Sequence, residues 1–251
     1  MKIQLEYKGK PFQVDLKSGM EIAIPLAAGP GHVLAWYLQP LTIEPVRMGD
    51  WVGEVKSGAA VNFRNIAFNP HGHGTHTETV GHISPDDFPV QEHFRDFFCF
   101  ATVVTIDPEK LQDDHVVTLA QLKSSLKEMT EAVIIRTLPN TADKCSRNYS
   151  STNPTYLDHK AAEWLREIGV KHLMIDTPSV DREEDGGALL SHHAFWNYPA
   201  ATRKDCTITE LIYVPAAISD GVYFMNLQVA PFMNDAAPSR PLLFHLQPLQ
   251  Q

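Results

Sequence analysis

The 251-residue sequence predicts a single β-rich α/β domain. Three observations carry that expectation. Short apolar runs, punctuated by Gly and Pro, recur through the stretch that ends at Phe68. A strand, a helix and a second strand follow one another between Ala132 and Ile175, which implies at least one crossover unit. Strand-like runs then return after Glu210. Neither a linker nor an internal repeat divides the chain, so residues 1–251 read as one domain.

The elements follow in order. Ile3, Leu5 and Tyr7 alternate, Lys8-Gly9-Lys10 supplies a turn, and Phe12, Val14 and Leu16 alternate again, which predicts a β-hairpin. Apolar runs at Glu21–Leu26, Val33–Leu38 and Ala60–Phe68 predict further strands. Val103-Val104-Thr105-Ile106 is a β-branched run ending in Asp-Pro, and Leu119–Met129 is weakly helical. Ala132–Thr137 reads as a buried strand. Tyr156, Leu157, Ala161, Trp164, Leu165 and Ile168 fall at helical spacing, with Gly169 placed to end the helix. A strand at Val170–Ile175 follows, then strand-like runs at Leu211–Val214, Tyr223–Val229 and Leu242–Leu246.

Composition excludes several function classes. The net charge is −9 with histidines neutral, and no Lys/Arg-rich block occurs, so neither nucleic acid nor an anionic membrane is expected as a partner. The N-terminal residues lack the apolar core of a secretory signal, and no apolar run approaches a membrane-spanning length. A cytoplasmic protein acting on a small molecule is the expectation. Cys99, Cys145 and Cys206 are too few and too widely spaced for a disulfide framework or a paired-cysteine metal site.

Twelve histidines stand out, four of them between His71 and His82. The stretch His71-Gly72-His73-Gly74-Thr75-His76-Thr77-Glu78-Thr79-Val80-Gly81-His82 interleaves imidazoles and a carboxylate with glycines. Imidazole nitrogen and carboxylate oxygen suit zinc, manganese or iron, and the glycines let the backbone fold tightly enough for the ligands to converge. His76 and Glu78, two residues apart, share one face of an extended segment. Either His71 or His73 can swing in beside them. A catalytic metal site also draws ligands from distant segments, and Ser191-His192-His193-Ala194 and Thr207-Ile208-Thr209-Glu210 are the two that qualify. His32, His93, His115, His159, His172 and His245 carry no functional expectation.

These residues resemble the cyclase-like metal-dependent hydrolases that include bacterial kynurenine formamidase and isatin hydrolase. Gly74-Thr75-His76-Thr77-Glu78-Thr79-Val80-Gly81-His82 is similar to the later part of that family's motif, His-x-Gly-Thr-His-x-Asp-x-Pro-x-His. The strand ending Arg136-Thr137, the helix Ala161–Leu165 with Gly169-Val170, the loop Ile175–Asp181, His192 and Glu210-Leu211 continue the likeness in the same order. It runs from about residue 60 to the end; residues 1–60 stand as an unmatched β-rich N-terminal extension of the same domain.

The resemblance implies a swivelling β/β/α fold, a homodimer or larger homo-oligomer, and a divalent metal, zinc ahead of manganese, as one or two ions. It implies His76, Glu78, His192 and Glu210 as metal ligands and His82 as the proton-transfer residue. The family's first histidine falls on Gly72, which is flanked by His71 and His73. His71 is preferred as the ligand, through a one-residue insertion in the glycine-rich loop, with His73 as the alternative.

The implied reaction is hydrolysis of a C–N bond in an aryl formamide, amide or lactam by a metal-activated water. A lactone or ester hydrolase, or a non-catalytic metal- or ligand-binding protein on the same scaffold, are the alternatives. Phe94, Phe97, Phe98, Trp196, Tyr198 and Phe232 are the aromatic candidates for a substrate pocket, and the Trp196 region is the expected wall.

Overall fold

In the computed structural model, which describes residues 1–249, seven strands close into a barrel. In chain order they are β1 (His76–Glu78), β2 (Phe98–Ile106), β3 (Ala132–Thr137), β4 (His172–Ile175), β5 (Thr207–Glu210), β6 (Gly221–Val229) and β7 (Ala236–His245). The order around the barrel is β6-β2-β3-β4-β5-β1-β7, and pairing of β6 with β7 closes it. The strands β2 to β5 run parallel, while β1, β6 and β7 are antiparallel to their neighbours.

Burial on both faces explains the unbroken apolar run of β3, every residue of which is buried. Ala132, Ile134, Ala101, Val103, Met174, Met225 and Leu227 pack together on one face of the barrel wall. On the other face Val133, Ile135, Leu173, Ile175 and Ile208 pack against helices. Helices are few. The four of interest are α1 (Pro70–His73), α2 (Leu119–Ser125), α3 (His159–Glu167) and α4 (Leu190–Trp196). Leu122, Ala161, Leu165, Phe195 and Trp196 are the side chains by which α2, α3 and α4 cover the parallel strands. Asp158 caps α3, accepting a hydrogen bond from Lys160 N–H, and Gly169 follows its end at φ 86°, as the spacing predicts.

The N-terminal hairpin forms as read, with Tyr7 opposite Lys10 and a two-residue turn in which Lys8 and Gly9 both have positive φ. The expected strand at Val33–Leu38 does not form. Trp36 and Tyr37 adopt φ 61° and 57°, so the alternation there belongs to a turn, and only Leu34 makes a bridge, to Asn148. The run at Leu211–Val214 is not a strand either; β5 ends at Glu210 because Leu211 turns to φ 52°. Among the described residues no helix is long and apolar enough to cross a membrane.

Candidate metal centre

The strand β1 lies between β5 and β7, and that register assembles the centre. His76 and Glu78 project from the same face of β1, and Glu210 stands directly opposite His76 on β5. His76 Nε2 is 3.4 Å from Glu210 Oε2 and 4.0 Å from Glu78 Oε2. The turn at Leu211 fixes the end of β5, because Leu211 N–H donates to Thr177 O and its carbonyl accepts from Thr75 Oγ1. Glu210 Oε1 accepts a hydrogen bond from Val180 N–H at 2.8 Å.

His192 enters from the first turn of α4. Asp181 accepts hydrogen bonds from Ser191 N–H and His192 N–H and also holds His192 Nδ1 at 2.6 Å. The other ring nitrogen, Nε2, then faces the centre, 3.1 Å from Glu78 Oε1 and 3.8 Å from Glu210 Oε1. His71 enters from α1, whose first turn is set by Pro70 and by the Asn69 side chain accepting from His71 N–H. His71 Nδ1 lies 3.0 Å from Glu78 Oε2, and its Nε2 lies 3.1 Å from Asp235 Oδ2.

His71 and His73 therefore part company. His73 turns the opposite way, with Nε2 2.8 Å from the Gln39 carbonyl and Nδ1 bonded to the Asn69 backbone. Its place in the interior is that of a satisfied polar side chain. His82, half-exposed at the edge of the centre, stacks on His71 with ring centroids 4.2 Å apart and approaches Asp235 Oδ2 at 3.3 Å through Nδ1. His193 bonds the Tyr198 carbonyl and stays outside.

Burial and charge set the chemistry. His76, Glu78, His192 and Glu210 are all buried. Burial alone would raise the Glu78 pKa, but the charge of His82 and the hydrogen bond from His192 hold it well below the usual carboxylate range. Burial likewise opposes a proton on His192, yet bonds to Asp181 and Glu78 raise its pKa well above the ordinary value. In His71 the same contest, won by Asp235 and Glu78, ends at about 10. The carboxylates thus demand positive charge. Without a cation His71 and His192 supply it by keeping their protons, and cation binding would release them.

The donor set fits a divalent cation. His76 Nε2 and Glu78 Oε2 are buried without a hydrogen bond; Glu78 Oε2 is close to His71 Nδ1, but no N–H is aimed at it. Each imidazole has its outer nitrogen occupied, His76 by Gly74 O, His192 by Asp181 and His71 by Asp235. That outer bonding is how metal-ligating histidines are oriented. His71, His76 and Glu78 offer donor atoms within 4.8 Å of one another, and so do Glu78, His82 and His192. Nitrogen and carboxylate donors suit zinc or manganese.

The Cyclase family model matches residues 14–182, more than half of the chain. The chain belongs to the cyclase family. The match also reaches back into the N-terminal stretch where the motifs themselves show no likeness. The kynurenine formamidase of Bordetella avium (strain 197N) is 24% identical over 217 residues, covering 80% of this chain and 92% of that protein. In the cyclase fold, an isatin hydrolase bound to thioisatinate superposes with a TM-score of 0.67 at 14% identity, covering 92% of this chain and 93% of that one. A predicted metal-dependent hydrolase from Bacillus stearothermophilus gives 0.62 at 17% identity, covering 90% and 98%.

The aromatic wall is corrected. Trp196 is fully buried in the helix–sheet core, its Nε1–H donating to Cys206 O, because four residues after His192 on α4 it follows that side chain inward. Phe94 is buried too, in the layer that includes Ala101 and Ile134. Tyr198 is partly buried against the same core, its ring beside His193, while Phe97, Phe98 and Phe232 are exposed. Asp235 and Trp36, whose indole N–H donates to the His71 carbonyl, are contributors that motif reasoning does not reach, and Asp181 closes a loop of the family likeness without a role assigned to it. Cys99 and Cys206 are buried, and burial pushes both thiols up to about 12.

Proposed function

We propose that the protein is a metal-dependent hydrolase that cleaves the C–N bond of an aryl formamide, amide or lactam, with zinc or manganese as its divalent cation. The observation that carries the reading is the convergence of donors from four separate segments, all but His71 buried; two of the buried atoms, His76 Nε2 and Glu78 Oε2, have no hydrogen bond. The amide class is supported by the relatives, one a kynurenine formamidase and another an isatin hydrolase.

His76, Glu78, His192, Glu210 and His71 would hold the cation. When bound, it supplies Lewis acidity that polarises a carbonyl and acidifies a water. The chain's residues do the rest. Glu210 and His192 are held rigid by Val180 N–H and Asp181, so the donors need little reorganisation. His82 takes a proton from the attacking water and returns it to the departing amine. Phe232, three residues before Asp235, faces Phe68, three residues before His71, with centroids 6.1 Å apart; this pair offers the aromatic surface that Trp196 does not.

The homo-oligomer is part of the same proposal. The excursion through Thr42–Pro45 and Arg64–Ala67 exposes Met48, Trp51, Phe63 and Ile66, a cluster of apolar side chains suited to burial against a second copy. Solution mass by light scattering checks it.

The experiment for the reaction is turnover of N-formylkynurenine and a panel of small amides, lactams and lactones by protein loaded with zinc or manganese. Hydrolysis of a C–N substrate, reduced by roughly 10²–10⁴ in kcat in His82→Ala, is expected. Turnover of lactones alone moves the reading to esters. Tight cation binding with no turnover on the panel overturns it in favour of a binding protein.

A further inference from the structure

We infer that Asp235 is a positioning residue whose single carboxylate oxygen ties His71, at the cation, to His82, the proton carrier. The inference rests on the metal-hydrolase reading for the roles of the two histidines. The geometry is independent of it: Asp235 Oδ2 lies 3.1 Å from His71 Nε2 and 3.3 Å from His82 Nδ1, and the two rings stack 30° from parallel.

An imidazole has two nitrogens, and the partner of one decides what the other does. With Nε2–H given to Asp235, His71 presents Nδ1 toward Glu78 and the cation position. With Nδ1–H given to the same oxygen, His82 keeps its lone pair on Nε2, which makes no hydrogen bond among the described residues. Asp235 also draws His82 off the cation. His82 Nδ1 is 3.3 Å from Asp235 but 3.9 Å from Glu78 Oε2, close enough to become a donor to the cation if Asp235 released it. One carboxylate thus sets the orientation of a ligand and withholds a competitor.

The carboxylate is itself held. Asp235 O accepts hydrogen bonds from Thr79 N–H and Thr79 Oγ1, and Ala236 next to it pairs with Glu78 across β1 and β7. Gly81 packs closely, since a Cβ there would stand 3.1 Å from the Asp235 Cβ. These anchors are to the backbone and the Cβ, which alanine and asparagine both keep.

The test compares full-length Asp235→Ala and Asp235→Asn with the wild type in two readouts. Competition with a chromophoric chelator gives zinc affinity, and histidine ring ¹⁵N spectra of the cation-free protein at alkaline pH, where the ring is neutral, give the His82 tautomer. Asp235→Ala is expected to weaken zinc binding by about 10–100-fold and to change His82 from one Nδ1–H tautomer to a mixture. Asp235→Asn, which keeps the shape and guards against a misfolded alanine variant, moves both in the same direction by less. Unchanged affinity together with an unchanged tautomer overturns the inference. A wild type that binds no zinc would sink the metal reading instead, and the tautomer would still judge the role of Asp235 toward His82.

Discussion

The carbonyl oxygen of Ala35 lies 3.0 Å from the point a Cβ would occupy on Gly72, and Ala35 N–H donates to the Gly72 carbonyl. The loop carrying Trp36 and Tyr37 at positive φ thus presses directly on the residue where the family motif has its first histidine. A side chain at position 72 would meet Leu38 Cδ1 at 2.6 Å. His71, whose carbonyl the Trp36 indole holds, is the neighbouring histidine that the turn aims at Glu78. Gly72→Ala should cost about 1–3 kcal/mol in a denaturant melt and weaken zinc binding, because the turn that aims His71 must open. Stability and affinity both equal to wild type would remove this explanation.

His76→Ala and Glu210→Ala should each abolish retention of zinc through gel filtration, although the two residues lie in opposite halves of the chain. They face one another across β1 and β5, and each removes a donor rather than an outer partner. His73→Ala is the control. It loses the bonds to Gln39 and Asn69 at a cost of about 1–2 kcal/mol and keeps its metal. Metal analysis of the three proteins decides, and full zinc content in either of the first two contradicts the ligand set.

The part of this centre legible in sequence is the part that depends on local geometry. His76 and Glu78 share a face because strands alternate, and His192 and Glu210 are reached through the ordered likeness to the family's motifs. The sequence prefers His71 and keeps His73 as the alternative; the packing that orients the two rings comes from a loop some 35 residues upstream (Trp36 to His71). Asp235 lies 164 residues from His71 and reaches it only because the barrel closes through β7. The same limit produced the misread strand at Val33–Leu38, where alternation is real but two left-handed residues turn it into a loop. Nearness to His192 makes Trp196 the expected wall, and its ring does lie beside His192, but both are buried and Trp196 is sealed in the helix–sheet core.

A second buried network should show its weight in stability alone. Lys144 Nζ, almost fully buried, donates to Asp176 Oδ2 at 2.7 Å and to both oxygens of Thr137. Burial pushes the Asp176 pKa up even against that pairing. Lys144→Ala strands a carboxylate in the interior and should lower unfolding free energy by roughly 3–5 kcal/mol, whereas Lys144→Met with Asp176→Asn should cost less. Denaturant melts give both numbers; equal costs for the two proteins would show that the charge is not the cause.

Acid should destabilise the fold through His172. Buried on β4 with Nδ1 2.9 Å from Thr207 Oγ1, it has its pKa lowered by burial from 6.5 to about 4. The unfolded chain therefore binds a proton that the folded chain refuses between those values, so the contribution is present above pH 6.5 and is lost as pH falls toward 4. Its size is on the order of 3 kcal/mol. Melting wild type and His172→Gln across that range should show a flatter acid limb in the variant. Identical slopes would assign the acid sensitivity elsewhere.

The claim on which the rest depends is that these side chains hold a divalent cation, and anomalous scattering from crystals grown with zinc or manganese tests it most directly. Data on either side of the metal edge should show a peak bounded by His76 Nε2, the Glu78 carboxylate, His192 Nε2, Glu210 and His71. Crystals that contain the metal but show no peak there, or show it only away from these five residues, would contradict the account.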